Sequence, residues 1–172
     1  MDSTHDPQSP AGRHDCALPP ASPLHSLPTE QRCVLMTEAE RARIALDAEM
    51  ASVGCWERDA GVLRTLVNVG QLEPGEERFP ADELYQLDSF PAIAALLRRG
   101  RPYLDPGDVA SASLAARQVL GSHAAVPVIV EGEIWGELWV ARAPGRPALT
   151  EVDVGRLRIV ASRLGDGLAR YT

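Results

Sequence analysis

The sequence predicts an α+β fold built on antiparallel hairpins, and three stretches carry that reading. Val126–Val130, a tight Glu131-Gly132-Glu133 turn and Ile134–Ala141 form a hairpin that runs on into one long amphipathic helix. Cys55-Trp56-Glu57-Arg58 and the run from Val62 to Val69 flank Asp59-Ala60-Gly61, a second hairpin signal. Ahead of both, Leu35, Ala39, Ala42, Leu46, Met50 and Val53 recur at the three- and four-residue steps that make one apolar helix face.

Each element can be justified in chain order. Residues 1–28 carry Pro7, Pro10, Pro19, Pro20, Pro23 and Pro28 among Ser, Asp and His without apolar periodicity, so a disordered tail is expected there and a single domain over 29–172. The first helix is expected from Thr29 to about Ala51, with Gly54 ending it and Cys55 opening the first strand. After the Asp59-Ala60-Gly61 hairpin, Pro74-Gly75 separates the second strand from a third over Tyr85-Gln86-Leu87-Asp88. Phe90-Pro91 then opens a short helix through Ile93, Leu96 and Leu97 that Gly100 closes, and Pro102-Tyr103-Leu104 follows as a short strand. Asp105-Pro106-Gly107-Asp108 reads as a turn whose last aspartate caps a helix from Val109 to Leu120. Thr150-Glu151-Val152-Asp153 resembles a capping box at the head of the last helix, whose buried stripe is Leu157, Val160, Leu164 and Leu168. On the strand from Ile134 to Ala141, simple alternation puts Trp135, Glu137 and Trp139 on one side and Ile134, Leu138 and Val140 on the other, with the tryptophans expected under the terminal helices.

Composition removes several function classes. All 17 basic residues are arginine, which excludes a Walker A lysine, a Schiff-base lysine and a lysine general base, and which fits a GC-rich bacterial genome. A net charge of −7 argues against nucleic-acid binding, which needs a basic face to neutralise phosphates. Arg98-Arg99-Gly100-Arg101 reads as the solvated end of a helix. With no basic, apolar leader at Met1 and no run near the roughly 18 apolar residues that span a bilayer, a cytoplasmic protein without membrane contact is expected. Cys16, Cys33 and Cys55, odd in number and without CxxC spacing, are expected to be free thiols. The sequence holds no Gly-x-Ser-x-Gly, His-Glu-x-x-His or Gly-x-Gly-x-x-Gly motif, and Glu76-Glu77 and Glu131/Glu133 read as solvated turn residues; no catalytic or metal-ligating residue is assigned.

Four pieces, taken in order and spacing, resemble the GAF domain family over about residues 29–171. They are Cys55-Trp56-Glu57-Arg58-Asp59; Phe90-Pro91-Ala92-Ile93 closing at Gly100-Arg101-Pro102-Tyr103; Val126-Pro127-Val128-Ile129-Val130-Glu131-Gly132-Glu133-Ile134-Trp135-Gly136-Glu137-Leu138; and Leu149-Thr150-Glu151-Val152-Asp153. The resemblance implies a central antiparallel sheet of five or six strands, with the N- and C-terminal helices on one face and a mobile helical or loop segment over a ligand pocket on the other. It further implies a non-catalytic sensory or signalling module that binds a small molecule or mediates homodimerisation and contacts with a signalling partner. Gly136 fits this picture as a strand glycine that admits a neighbouring backbone.

By the same resemblance, Tyr85, Tyr103, Asp105 and His123 fall within range of the pocket, each with a plainer role beside the ligand-binding one: core packing for the tyrosines, a turn for Asp105, a hydrogen-bonded strand-edge residue for His123. The alternatives are a ligand-free dimerisation scaffold, a haem-based redox or gas sensor through His123, and an enzyme like the free methionine sulfoxide reductases. No particular cofactor is indicated. The segment from Val109 to His123 lacks the cysteine that bilin-carrying members use, and a chain without lysine cannot match the Asn-Lys-Xaa-Phe-Asp-Glu signature of cyclic-nucleotide binders.

Overall fold

A computed structural model describes residues 27–72, 74–107 and 121–171. The expected proline-rich tail up to residue 26, and the expected helix Val109–Leu120 with its Asp108 cap, lie outside them. The element order is α1 (Thr29–Ala45), β1 (Met50–Glu57), β2 (Val62–Gly70), β3 (Leu84–Gln86), α2 (Pro91–Arg99), β4 (Tyr103–Asp105), β5 (His123–Val130), β6 (Glu133–Ala141) and α3 (Glu151–Leu168). The strands form one six-stranded sheet in the order β3-β2-β1-β6-β5-β4, every pair antiparallel.

Alternation along the strands divides the core in two. Ala51, Val53 and Cys55 of β1, Val126 and Val128 of β5, and Leu138 and Val140 of β6 face α1 and α3, where they pack on Leu35, Ala39, Leu157 and Leu164. On the opposite face Leu63, Ala125 and Trp139 pack with Ile93, Leu96 and Leu97 of α2. Both terminal helices therefore cover one side of the sheet, and α2 covers part of the other, as expected. Thr150 caps α3 through the capping box with Asp153, and α2 begins with Pro91 and ends at Gly100 in the left-handed conformation.

Three expectations are corrected. Helix α1 ends at Ala45, not near Ala51, because Asp47 takes a positive φ of 49° and turns the chain straight into β1. Met50 and Val53 fit a helical step equally well but belong to that strand, where they face opposite sides of the sheet. The two tryptophans of β6 also part company. Val128 pairs with Gly136 but Ile129 with Ile134, so Trp135 is the extra residue of a β-bulge and packs on the terminal-helix side while Trp139 faces α2. Only Trp135 lies under the terminal helices. Finally, Cys33 is free as expected, but Cys55 is disulfide-bonded. Odd count and absent CxxC spacing do not exclude a disulfide, which depends on the distance between cysteines in space and not on their spacing in sequence.

Gly136 has the role foreseen for it: a Cβ there would lie 1.9 Å from the Gly54 carbonyl oxygen of β1. The two-residue turn between β5 and β6 holds Glu131 and Gly132 at φ of 51° and 87°, the positive pair that matches the twist of a tight hairpin.

Candidate functional site

The sheet face shared with α2 is only partly covered, and a cavity of about 690 Å³ opens over its centre. Its floor follows from the register. Glu137, Gly54 and Thr65 share one row across β6, β1 and β2, while Trp139, Ser52 and Asn68 share the next row on the same face. A second bulge sets this up: Val53 pairs with Val67 and Gly54 with Thr65, so Leu66 is extra and Thr65 and Asn68, three apart, both face the cavity. The small residues Ser52 and Gly54 form the trough between two taller walls. Beneath one end, a Cβ on Gly54 would lie 2.8 Å from the Leu63 Cδ1, so that position is already closed by Leu63.

The wall at β2 and β3 is organised by Glu83. Its Oε1 accepts from Thr65 Oγ1 and Tyr85 Oη, both at 2.9 Å, and its Oε2 accepts from Asn68 Nδ2 at 3.0 Å. Asn68 Nδ2 also donates to the Glu77 carbonyl at 3.1 Å, which fixes the amide orientation and leaves Oδ1 buried without a partner. Phe90 meets Tyr85 edge to face at 5.5 Å between ring centres.

The wall at β4 and β5 is a chain of three polar groups. Tyr103 Oη donates to Asp105 Oδ2 at 3.1 Å and lies 2.8 Å from His123 Nε2; Asp105 Oδ1 accepts from the Gly107 amide at 2.8 Å. Burial pushes the His123 imidazole below its ordinary pKa, against the opposing influence of the Asp105 charge and the Gly121 backbone. Burial, reinforced by the adjacent Asp105 and Glu83, raises the phenols of Tyr103 and Tyr85 respectively.

Between the walls stands Glu137, 6% exposed, with Oε2 unpartnered. Desolvation pushes its carboxyl up to about 8, so it is mostly protonated at neutral pH. Such a group is chemically poised: a cation beside it would draw off its proton.

Of the four site residues expected from the sequence, Tyr85, Tyr103 and His123 line the cavity, and Asp105 sits behind Tyr103 as its acceptor. Glu83, Asn68, Thr65 and Glu137 were missed. Their signal is a polar residue on the inward phase of an otherwise apolar strand, which Thr65, Asn68 and Glu137 each are. Glu76 also lines the cavity rather than being only a solvated turn residue, whereas Arg98, Arg99 and Arg101 are exposed at the end of α2 as expected. The described cysteines do not reach the site: Cys55 packs on the terminal-helix face and Cys33 is exposed on α1. Of the two His123 ring nitrogens, Nε2 is engaged by Tyr103 and Nδ1 is buried without a partner. Among the described residues no cluster of His, Cys, Asp or Glu is arranged to hold a metal ion, and no helix is long and apolar enough to cross a membrane.

Comparison with known proteins agrees with this architecture. The family model described as GAF domain matches residues 31–168. No curated protein matches. Among solved structures, a GAF domain/HD domain protein from Geobacter sulfurreducens is similar at 18% identity and a TM-score of 0.66, covering 85% of this chain and 96% of its own. A methyl-accepting chemotaxis protein fragment, residues 122 to 287, is similar at 18% identity and a TM-score of 0.63, covering 86% and 93%. The phycocyanobilin-bound GAF domain of a cyanobacterial phytochrome is similar at 14% identity and a TM-score of 0.65, covering 85% and 87%. At these identities the likeness is one of fold.

Proposed function

This chain belongs to the GAF domain family, and from that premise we propose that it is a non-catalytic sensory module whose central cavity binds a small molecule and passes the effect of occupancy to a signalling partner. The observation that carries this reading is the cavity itself: about 690 Å³, within the range of small-molecule sites, with buried polar atoms of Asn68, His123 and Glu137 left unpartnered along its lining. Buried polar groups are rarely left unpaired, so a ligand that satisfies them binds with a gain the empty site lacks. Occupancy would be felt by β1 and β6, which carry the floor on one face and pack against the terminal helices on the other. The phycocyanobilin-bound neighbour is a case in which this fold holds a small molecule. A cytoplasmic setting belongs to the same proposal, as does a function without nucleic acid, in keeping with a net charge of −7.

Native mass spectrometry of the purified full-length chain, with an absorption spectrum, tests the reading. A small molecule that co-purifies and is lost on denaturation supports it. A second reading, a ligand-free scaffold that dimerises through α1 and α3, draws on Ile44, Val152 and Ile159, large apolar residues left 65%, 65% and 60% exposed on those helices. A bare dimer, dissociated by Ile159→Glu, would favour the scaffold over the sensor.

A further inference from the structure

The chemistry of the cavity narrows what it holds, and this step rests on the sensing reading above. Glu76, Asp82, Glu83 and Glu137 line the cavity, and among the described residues no arginine does. Among the described residues an anionic ligand would therefore find four carboxyl groups and no guanidinium to receive it. The unpaired polar atoms point the same way. His123 Nδ1 is buried without a partner; Asn68 Oδ1, an acceptor by necessity since Nδ2 is held by the Glu77 carbonyl and the Glu83 carboxylate, and Glu137 Oε2 have none either. Asn68 and Glu137 are buried side chains, at 1% and 6% exposure, in neighbouring rows of the floor. The rest of the lining is aromatic: Tyr85, Phe90, Tyr103 and Trp139 supply π-systems that attract positive charge.

We propose that the cavity takes a small, flat, cationic ligand of the amidinium or protonated aryl-amine class, whose charged N–H donors pair with Glu137 Oε2 between the aromatic walls. Binding ionises Glu137. The ligand's fixed positive charge favours the carboxylate, so the carboxyl proton leaves for solvent as the ligand enters, and charge balances. The other titratable groups on that face are His123 of β5, Tyr85 of β3, Tyr103 of β4 with Asp105 behind it, and Glu76, Asp82 and Glu83 of the β2–β3 connection. Of these, burial keeps His123 neutral and both phenols protonated at pH 7, so Glu137 is the group placed to release the proton.

Three probes of nearly the same shape and different charge test this: benzamidine, benzamide and benzoate, titrated by calorimetry into the full-length protein at pH 7. The expected result is benzamidinium binding at least about tenfold more tightly than benzamide, and no measurable heat with benzoate. Repeating the benzamidine titration in two buffers of different ionisation enthalpy should show net proton release. Glu137→Gln, a neutral mimic of the protonated carboxyl, should abolish that release and weaken benzamidinium about tenfold while leaving benzamide unchanged. Asp82→Asn, at an exposed position, should weaken benzamidinium about twofold, and the loss should vanish at high salt. Benzamide or benzoate binding as tightly as benzamidinium would overturn the cationic class while leaving a small-molecule site in place. Failure of all three to bind would also overturn it, and the sensing reading would then be decided by native mass spectrometry. Benzamidinium binding without proton release would overturn the assigned part of Glu137.

Discussion

Tyr103 Oη lies 2.8 Å from His123 Nε2 and donates to Asp105, so the one described histidine is held inside the fold by a neutral phenol rather than directly by the carboxylate, which stands 3.9 Å from the ring. Burial dominates, and the folded imidazole titrates below its unfolded value of 6.5. Below pH 6.5 the unfolded chain binds a proton that the folded chain refuses, so stability attributable to His123 is present above 6.5 and is lost as the pH falls towards the folded pKa. Melting temperatures of the wild type minus those of His123→Gln should therefore decline as the pH is lowered from 7 to 5. A difference that is flat or rises would show that the ring is charged in the folded state.

Glu137 has the opposite sign. Its carboxyl moves from 4.5 in the unfolded chain to about 8 in the fold, so between those values the folded state holds a proton that the unfolded state has lost. Stability from this group is intact below pH 4.5 and drains away as the pH rises through 8. For a shift from 4.5 to about 8 the penalty at high pH is on the order of 5 kcal/mol. Glu137→Gln should thus be more stable than wild type at pH 8.5, with the two converging near pH 4.5, measured by urea denaturation. Equal stability across that range would mean that the carboxyl is ionised at no cost.

The hairpins, the capping box of α3 and the proline start and glycine stop of α2 were legible because each is set by residues close in sequence, acting through local backbone preference. The site was legible only in part. Tyr85, Tyr103 and His123 could be placed near the cavity through family resemblance, but Thr65, Asn68 and Glu137 depend on two bulges, at Leu66 and Trp135, that decide which phase of each strand faces inward. A bulge is fixed by cross-strand packing and leaves little trace in the strand that carries it. The same holds for the end of α1, where Leu46, Met50 and Val53 satisfy two periodicities and Asp47 settles the matter, and for Cys55, whose bonded state cysteine count and spacing do not reveal.

Gly136 should be the least replaceable glycine of the sheet centre. An added Cβ would meet backbone, with the Gly54 carbonyl oxygen at 1.9 Å and the Cys55 Cα at 3.0 Å, so β1 and β6 would have to separate. Gly136→Ala is expected to cost about 2–4 kcal/mol and to disturb the cavity floor beside Glu137. Gly132→Ala, with nothing within 4 Å but φ at 87°, should cost about 1 kcal/mol through backbone strain alone. Denaturant midpoints that rank the two in reverse would mean that the sheet yields locally.

Arg142 is expected to be the strongest single polar tie between the terminal helices and the sheet. Following directly on β6, its guanidinium donates to the Leu46 carbonyl through Nε at 3.0 Å and Nη2 at 2.5 Å, and to the Pro147 carbonyl through Nη1 at 3.0 Å. It also lies 3.7 Å from Asp153, whose other oxygen accepts from Thr150 in the α3 cap. One planar fork thus holds the end of α1, the loop before α3 and the α3 cap in fixed relation to the strand that carries Glu137. Arg142→Ala should cost about 1–3 kcal/mol, because the buried Leu46 carbonyl loses both its guanidinium donors. Arg142→Lys should recover only part of it, since an ammonium on a flexible stem cannot meet carbonyls on both sides of the fork at once. Hydrogen exchange is the decisive measurement. In Arg142→Ala the amides of the last turn of α1 and the first turn of α3 should exchange faster together while those of α2 stay as in wild type, and uniform acceleration would show a global loss of stability in place of a local tie.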